Sequence, residues 1–130
     1  MSKLFLLFSH QFTERQKEDA EKNLKVSEII NLPTDLQKRW SNVPPELDSI
    51  KLYLLPIRKW ISKLAKRNDY LLVQGEFGAV YLIVEWAKRN ELIPVYATTI
   101  RKVREKREGE KIKTEKEFQH KRFRKYEKWK

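Results

Sequence analysis

Hydrophobic and polar positions along the chain follow two different periods. Four short apolar runs, each bounded by polar or turn-forming residues, predict β-strands. They are residues 4–8, residues 26–33 (VSEIINLP), residues 69–74 (DYLLVQ) and residues 92–98 (LIPVYAT). The first run is apolar at every position, which is typical of a strand buried on both faces of a parallel sheet.

Between the strands, apolar residues recur every three or four positions, which is the period of an amphipathic helix. A first helix is predicted to begin after Thr13, because Thr13 and Gln16 form a capping-box pattern. A long helix is predicted over residues 47–67, with a kink at Pro56, and another over residues 77–90. The resulting order, β-α-β-α-β-α-β, predicts an α/β fold with an open, mainly parallel sheet flanked by helices.

Two segments fall outside this alternation. Residues 34–46 are predicted to form an irregular link, because Pro44 and Pro45 do not fit inside a helix. Residues 99–125 alternate weakly between polar and apolar positions, with a turn signal around Gly109. They predict a basic, charged β-hairpin that either continues the sheet or forms an arm, with a charged helix as the alternative.

The charge of the chain is concentrated at its carboxyl-terminal end. Residues 101–130 hold 14 Lys/Arg and 6 Glu, and they carry +8 of the formal net charge of +11. We expect one domain over residues 1–130, with an α/β core over residues 1–100 and a basic extension over residues 101–130. A run of charge is most often solvated. This one is interleaved with aromatic residues, as in surfaces that bind nucleic acids or nucleotides.

Composition and motifs argue against several classes of site. The chain has no cysteine, so the sequence predicts no disulfide and no thiolate chemistry. The two histidines lie 110 residues apart, which is poor evidence for a metal site, and no metal or cofactor is expected. Neither a G-x-S-x-G nor a P-loop motif is present. No apolar run approaches the roughly 18 residues that cross a bilayer, so a cytoplasmic protein without a membrane partner is expected.

Polar residues and glycines follow the predicted strands, at the edge where an open α/β sheet binds its ligands. Gly75 and Gly78 either form a tight strand-to-helix turn or let backbone N–H groups approach a phosphate or an adenine. Glu76 between them is expected to cap the next helix, or to bond an adenine amino group or a ribose hydroxyl. The residues at this edge are Ser9, His10, Gln74, Gly75, Glu76, Phe77, Gly78, Thr98 and Thr99.

Both histidines and one arginine are candidates for chemistry. His10 follows the first strand and is expected to cap a helix or to form a local hydrogen bond. His120 is flanked by Lys121, Arg122 and Arg124. These cations are expected to keep its imidazole neutral, as a base or a hydrogen-bond acceptor requires. Arg101, shortly after the fourth strand, is a candidate for contacting phosphate.

Five segments, taken in chain order, resemble a known family. They are LFLLFSHQFTERQKEDA, LPTDLQKRW, VQGEFGAVYLIVEWA, VYATTIRKVRE and FQHKRFRKYE. The chain resembles a small CRISPR-associated family of Rossmann-like (CARF-like) proteins from type III systems. That family is grouped with the ring nucleases that degrade cyclic oligoadenylate second messengers. The resemblance extends over nearly the whole chain.

The resemblance implies a homodimer that binds cyclic oligoadenylate, with cyclic tetra-adenylate favoured over cyclic hexa-adenylate. It also implies metal-independent cleavage, in which a ribose 2′-hydroxyl attacks its adjacent phosphate and leaves linear products with 2′,3′-cyclic phosphate ends. Arg101 and His120 would be catalytic, and Arg122 and Arg124 would contact phosphates. The residues at the sheet edge would line the ring. Such an enzyme would switch off type III antiviral signalling, without a stable long nucleic acid partner.

Two alternatives remain open from the sequence. A non-catalytic protein that sequesters the same messenger would need nearly the same site residues. A general RNA- or DNA-binding protein would use the basic carboxyl-terminal segment, and its affinity would fall steeply as the salt concentration rises.

Overall fold

The computed structural model describes residues 2–130, which form a mixed α/β fold with one five-stranded sheet and four α-helices. The strands are β1 (Ser2–Leu7), β2 (Val26–Asn31), β3 (Tyr70–Val73), β4 (Ile93–Glu108) and β5 (Lys111–Lys125). The helices are α1 (Glu14–Asp19), α2 (Thr34–Ser41), α3 (Lys51–Leu64) and α4 (Phe77–Arg89), and a π-helical turn (Ala20–Leu24) extends α1. Within the described residues, none of the helices has the length and apolar character needed to cross a membrane.

The strands of the sheet have the order β2-β1-β3-β4-β5. The first three pairings are parallel, and the last, between β4 and β5, is antiparallel. Leu6 of β1 lies opposite Leu72 of β3, and Leu72 lies opposite Val95 of β4. The carboxyl ends of β1 and β3 therefore meet at one edge of the sheet, beside the first third of β4.

Both faces of the central strands are buried, which explains why β1 is apolar at successive positions. Phe5 and Leu7 belong to a core that contains Trp40 and the inner sides of α3 and α4. Leu4 and Leu6 belong to a second core, which the π-helical turn after α1 covers. Because alternate side chains of a strand point to opposite faces, α1 lies on the other side of the sheet from α3 and α4.

The irregular link predicted between the second strand and the long helix is wrong for most of its length, because α2 forms there. Leu36 and Trp40 lie four positions apart on one side of α2, and both are buried. Burial of these two side chains stabilises a helix of only two turns. Pro44 and Pro45 follow the end of α2 and do not interrupt it.

The first two predicted helices are present, but the long one is shorter than predicted at both ends and finishes at Leu64 rather than near Arg67. The capping box is formed: the Gln16 backbone N–H donates to Thr13 Oγ1 at 3.1 Å, and the Thr13 N–H donates to Gln16 Oε1 at 2.8 Å. The long helix α3 begins at Lys51, four positions later than predicted, and continues through Pro56. The irregular segment that contains Pro44 and Pro45 ends where α3 begins.

β4 and β5 form a long antiparallel hairpin, so the helical alternative for residues 99–125 is wrong. Gly109 turns the chain with φ of 62°, in the left-handed region that glycine adopts without strain. The register shifts between Thr98 and Thr99, and outward from residue 101 both strands are exposed. At the base of the hairpin Phe123 is buried in the second core. β4 therefore runs without interruption from the sheet into solvent.

Candidate functional site

Gln74 connects three elements at the carboxyl edge of the sheet. Its backbone N–H donates to the Leu7 carbonyl oxygen at 3.0 Å, which joins the ends of β1 and β3. Its side-chain Oε1 accepts a hydrogen bond from the Ala97 N–H at 2.7 Å. Its carbonyl oxygen accepts one from Trp40 Nε1 at 3.0 Å. Gln74 is therefore a structural junction as well as a candidate ligand-binding residue.

The absence of a side chain at Gly75 has an identifiable cause. A Cβ atom at this position would lie 3.0 Å from Nε1 of Trp40 and 3.2 Å from two carbons of the same indole ring. Contacts of this length are tighter than nearly all real Cβ contacts, so the buried indole would have to shift by a few tenths of an ångström to accept a side chain. The close neighbour that excludes a side chain at Gly75 is therefore part of the protein itself, the indole of Trp40.

Glu76 caps the amino-terminal end of α4, which is one of the roles expected for it from the sequence. Its Oε1 accepts a hydrogen bond from the Gly78 N–H at 2.7 Å, and its Oε2 accepts one from the Ala79 N–H at 3.3 Å. These are the free N–H groups that a phosphate at this helix start would use. A phosphate can bind there only if the Glu76 carboxylate moves away. The neighbouring Phe77 side chain is exposed.

Ser9 and His10 lie beyond the end of β1 at the same edge. Ser9 Oγ is 2.9 Å from Oγ of Ser41, the last residue of α2, and forms a hydrogen bond with it. The His10 ring packs edge-on against Phe8, with 5.3 Å between ring centroids. Both side chains are exposed, so they are accessible to a ligand bound at this edge.

Thr98 and Thr99 lie within β4 rather than after its end, because the strand continues as far as Glu108. Thr98 Oγ1 donates to the Arg122 carbonyl oxygen at 2.9 Å and accepts from the Arg122 N–H at 3.2 Å. These bonds hold the bulge at which the register of the hairpin shifts. Arg124 lies close by, and its guanidinium donates to the Tyr96 hydroxyl at 3.1 Å.

His120 is buried against a carboxylate that the sequence patterns did not indicate. Its Nε2 lies 2.7 Å from Oδ2 of Asp19, the last residue of α1, and the two side chains are only 4% and 13% exposed. Its Nδ1 is buried and has no hydrogen-bond partner among the described residues. The nearest charged group of His120 is therefore an anion, although cations flank it along the chain.

The surroundings of Asp19 favour its ionised form. Burial raises the pKa of the Asp19 carboxyl, but hydrogen bonds from Asn23 and His120 lower it, as does attraction to His120 and Arg122. The net result is a pKa below the ordinary value of 3.8. Asp19 is therefore a carboxylate at neutral pH, and its hydrogen bonds tie the end of α1 to β5.

The lowered pKa predicts an acid-dependent contribution to stability. Because the folded-state pKa of Asp19 lies below the unfolded value, the contribution is fully present above about pH 4 and is lost as the pH falls through the folded-state pKa. We expect Asp19→Asn to lower the free energy of unfolding by about 1.5–3 kcal/mol at neutral pH. The difference from the wild type should shrink as the pH falls from about 5 to about 3, and urea titrations across this range measure it.

Glu21→Gln is the matched control for this prediction, because Glu21 is an exposed carboxylate on the adjacent π-helical turn. It should change stability by less than about 0.5 kcal/mol, as exposed substitutions usually do. A difference between wild type and Asp19→Asn that stays constant with pH would contradict the assigned role of the Asp19 carboxylate.

The hairpin register brings two predicted catalytic residues to one face. Thr99 lies opposite His120, and Arg101 lies opposite Phe118. Residues opposite each other share a face, so Arg101 and His120 are diagonal neighbours with Cβ atoms about 7–8 Å apart in regular geometry. Together with Asp19 they form what we call the Asp19–His120 cluster. Its members are Asp19, Thr99, Arg101 and His120.

An open cavity adjoins this cluster on the α1 side of the sheet. It has a volume of about 410 Å³. Two cations, Lys121 and Arg122, and the carboxylate of Asp19 contribute to its wall. The cavity is large enough for a nucleotide-sized group and offers both donors and an acceptor.

The predicted site residues therefore fall into two groups. Ser9, Gln74 and the residues around Glu76 lie at the carboxyl edge, close to α2 and α4. Arg101 and His120 lie at the base of the hairpin, on the α1 side of the sheet. Asp19 was missed, and the signal that could have found it is its i, i+4 spacing from Asn23, whose side-chain amide donates to the Asp19 carboxylate.

A protein-family model matches a part of the chain that contains both groups of predicted site residues. A model described as "Uncharacterized protein MJ1673 family" matches residues 2–124. The chain belongs to the MJ1673 family. A relative, "Uncharacterized protein MJ1673" of Methanocaldococcus jannaschii, is 52% identical over 126 residues, which are 97% of this chain and 98% of the relative. No solved structure matches the chain. The MJ1673 match thus includes the carboxyl edge, the Asp19–His120 cluster and almost all of β5.

Proposed function

We propose that this protein is a CRISPR-associated ring nuclease with a Rossmann-like (CARF-like) fold that cleaves cyclic oligoadenylate, preferably cyclic tetra-adenylate, in the cytoplasm. Its role would be to switch off type III antiviral signalling. The observation that carries the proposal is the Asp19–His120 cluster, in which a buried carboxylate and imidazole lie on the same face of the hairpin as Arg101. An oriented imidazole next to a cation is suited to proton transfer and charge stabilisation at a phosphodiester.

The reaction that fits these residues needs no metal ion. The ribose O2′ forms a bond to the adjacent phosphorus and loses its proton, while the bond from phosphorus to O5′ breaks and O5′ gains a proton. The products are a linear oligoadenylate with a 2′,3′-cyclic phosphate and a free 5′-hydroxyl. Arg101 would stabilise the added negative charge on the pentacoordinate phosphate.

His120 would position the reacting ribose or move its proton. Asp19 bonds to Nε2, which leaves Nδ1 as the ring nitrogen available to a substrate hydroxyl. Asp19 is thus the positioning residue that fixes the ring orientation. Because the imidazole is buried, the substrate would reach Nδ1 only after a local movement of the side chains that cover it.

The carboxyl edge would bind the ring itself. Exposed side chains there include Ser9, His10 and Phe77, and Thr99, which is also exposed, lies opposite His120 in the hairpin. Arg122 and Arg124 would contact phosphates, because both are exposed guanidinium groups near the cavity or the sheet edge. The remaining ring-lining residues in the proposal are Gln74, Gly75, Glu76, Gly78 and Thr98.

A homodimer is part of the proposal, because a two-fold axis matches a ring of four or six adenylates. The support for it is an exposed apolar face on α3 and α4, where Leu52 is 82% exposed and Tyr81 is 67% exposed. A groove of about 360 Å³ runs between these helices. Exposed apolar surfaces of this kind are typical of protein–protein contacts.

The direct test is incubation of the protein with cyclic tri-, tetra- and hexa-adenylate in the presence of a chelator, with products identified by mass. We expect linear products with 2′,3′-cyclic phosphate ends, formed fastest from cyclic tetra-adenylate. Intact ring after incubation with many equivalents of ring per protein would instead identify a protein that only sequesters it. Activity that is lost in chelator and restored by a divalent metal would contradict the metal-independent reaction.

A further inference from the structure

The two faces of the exposed hairpin differ in composition. Strand register places residues 101, 103, 105 and 107 of β4 on the same face as their partners 118, 116, 114 and 112 of β5. We call this the apolar–basic face. The intervening residues of both strands form the opposite face, which we call the ion-paired face.

Most of the charged side chains on the ion-paired face form ion pairs with one another. Three cross-strand ion pairs lie on it, at nitrogen–oxygen distances of 3.7, 3.6 and 3.4 Å. They are Arg104–Glu117, Lys106–Glu115 and Lys113–Glu108. Among the residues described, these pairs leave Lys102 and Lys111 as the unpaired cations of this face, and each exposed pair stabilises the hairpin only weakly.

The apolar–basic face has three basic residues and a single glutamate, and none of them forms an ion pair within the described part of the chain. It also carries the large apolar side chains of the outer hairpin. Val103 is 57%, Ile112 58% and Phe118 66% exposed. The two faces have the same formal net charge, so they differ in the pairing of charges and in exposed apolar surface.

We infer that the apolar–basic face binds a short segment of single-stranded nucleic acid. Phe118 lies directly opposite Arg101, so an aromatic ring and a guanidinium are presented side by side. A base can stack on the ring while its phosphate contacts the cation, which is the combination that single-strand-binding surfaces use. Lys116 and Arg107 supply further cations along the same face, and Val103 and Ile112 supply apolar contact for bases.

Other occupants fit this face less well. A second copy of the same face would bring unpaired cations against cations, which opposes association. A duplex would hide its bases from Phe118, so the aromatic ring would have no role. The face spans seven residues of β4, or about 20 Å of strand. A short segment of strand therefore suffices, and binding should be weak and sensitive to salt.

This surface goes beyond the ring nuclease proposal. Ring cleavage would use Arg101 and His120 at the base of the hairpin, whereas strand binding also needs Arg107, Lys116 and Phe118 farther out. Variants of these outer residues therefore test strand binding without touching the residues placed in the cleavage reaction.

The experiment measures the affinity of fluorescent oligonucleotides of about 12 nucleotides, within the range of single-strand sites. The double variant Arg107→Gln/Lys116→Gln removes two cations from the apolar–basic face. The control Lys102→Gln/Lys111→Gln removes two from the ion-paired face. We expect the first to weaken single-strand binding at least tenfold, and to lower the slope of log affinity against log salt by about 1.4, while the control changes both little.

A second pair of variants tests stacking without changing charge. Phe118→Ala should weaken binding about tenfold, whereas Ile100→Ala, on the opposite face, should not. Equal effects of the face variant and its control would overturn the inference, because they would show attraction by net charge alone. Tighter binding to duplex, or binding to anionic phosphatidylserine vesicles but not to oligonucleotides, would also overturn it.

Ring cleavage by the same variants separates this inference from the proposed function. If strand binding depends on the apolar–basic face and the ring stays intact with wild-type protein, the inference stands and the ring nuclease proposal fails. If the ring is cleaved and no variant changes strand binding, the nuclease proposal stands and this inference fails.

Discussion

Replacing Trp40 with alanine is expected to lower the free energy of unfolding by about 3–5 kcal/mol, the usual effect of removing a buried tryptophan side chain. Trp40 is 1% exposed and is the largest fully buried side chain of the core. The variant would also remove the hydrogen bond from Nε1 to the Gln74 carbonyl oxygen. Denaturant titration, followed by circular dichroism, measures the change.

Gly75→Ala provides the control that ties this effect to the sheet edge. With Trp40 present, the Cβ atom that this substitution adds at position 75 would lie 3.0 Å from Trp40 Nε1. Overpacking of this kind costs about 1–3 kcal/mol. In the Trp40→Ala background the indole is gone, so the same substitution should cost much less. A double-mutant cycle measures the coupling between the two positions. Additive effects would show that Trp40 is not the reason for glycine at position 75.

Replacing Arg101 with alanine is expected to slow ring cleavage about a hundredfold or more, if the proposed reaction is correct. A cation that stabilises charge only in the transition state is worth roughly 2–4 kcal/mol. Arg101 is exposed, so its removal should leave the fold intact. Single-turnover cleavage of cyclic tetra-adenylate in chelator measures the chemical step, free of effects on product release.

Lys102→Ala is the matched control, because it removes the same charge from the next residue of β4. Successive residues of a strand point to opposite faces, so Lys102 faces away from His120. Cleavage by this variant should remain close to the wild-type rate. Near-wild-type cleavage by Arg101→Ala would remove Arg101 from the mechanism. An equal loss in both variants would indicate a general effect of charge on ring binding.

The strands could be predicted from the sequence because a strand that is buried on both faces is apolar at successive positions. β1 shows it most clearly, since Phe5 and Leu7 enter one core and Leu4 and Leu6 the other. α2 was not accessible in the same way, because the nearby Pro44 and Pro45 suggested a loop. Two buried side chains stabilise this short helix through tertiary packing, which local patterns do not contain.

The candidate site was also only partly predictable from the sequence. The pair of glycines was visible in the sequence, but the cause of Gly75 was not, because Trp40 lies 35 positions before Gly75 in the chain. His120 was visible as a rare residue, but its contact with Asp19 spans 101 positions. The residues beside His120 in the sequence are cations, and they were expected to be its nearest charged groups. In the fold its closest charged contact is a carboxylate.

The continuity of β4 has a consequence for how the protein fluctuates. At the base, β4 is the fourth strand of a five-stranded sheet, whereas beyond Val95 the only strand that pairs with it is β5. An isolated two-stranded ribbon is marginally stable in water, so the outer hairpin depends for its stability on the sheet at its base. Backbone amides should accordingly exchange with solvent fastest near Gly109 and progressively more slowly toward Val95. The hairpin is thus a graded structure, which frays at its tip while its base keeps the protection of the core.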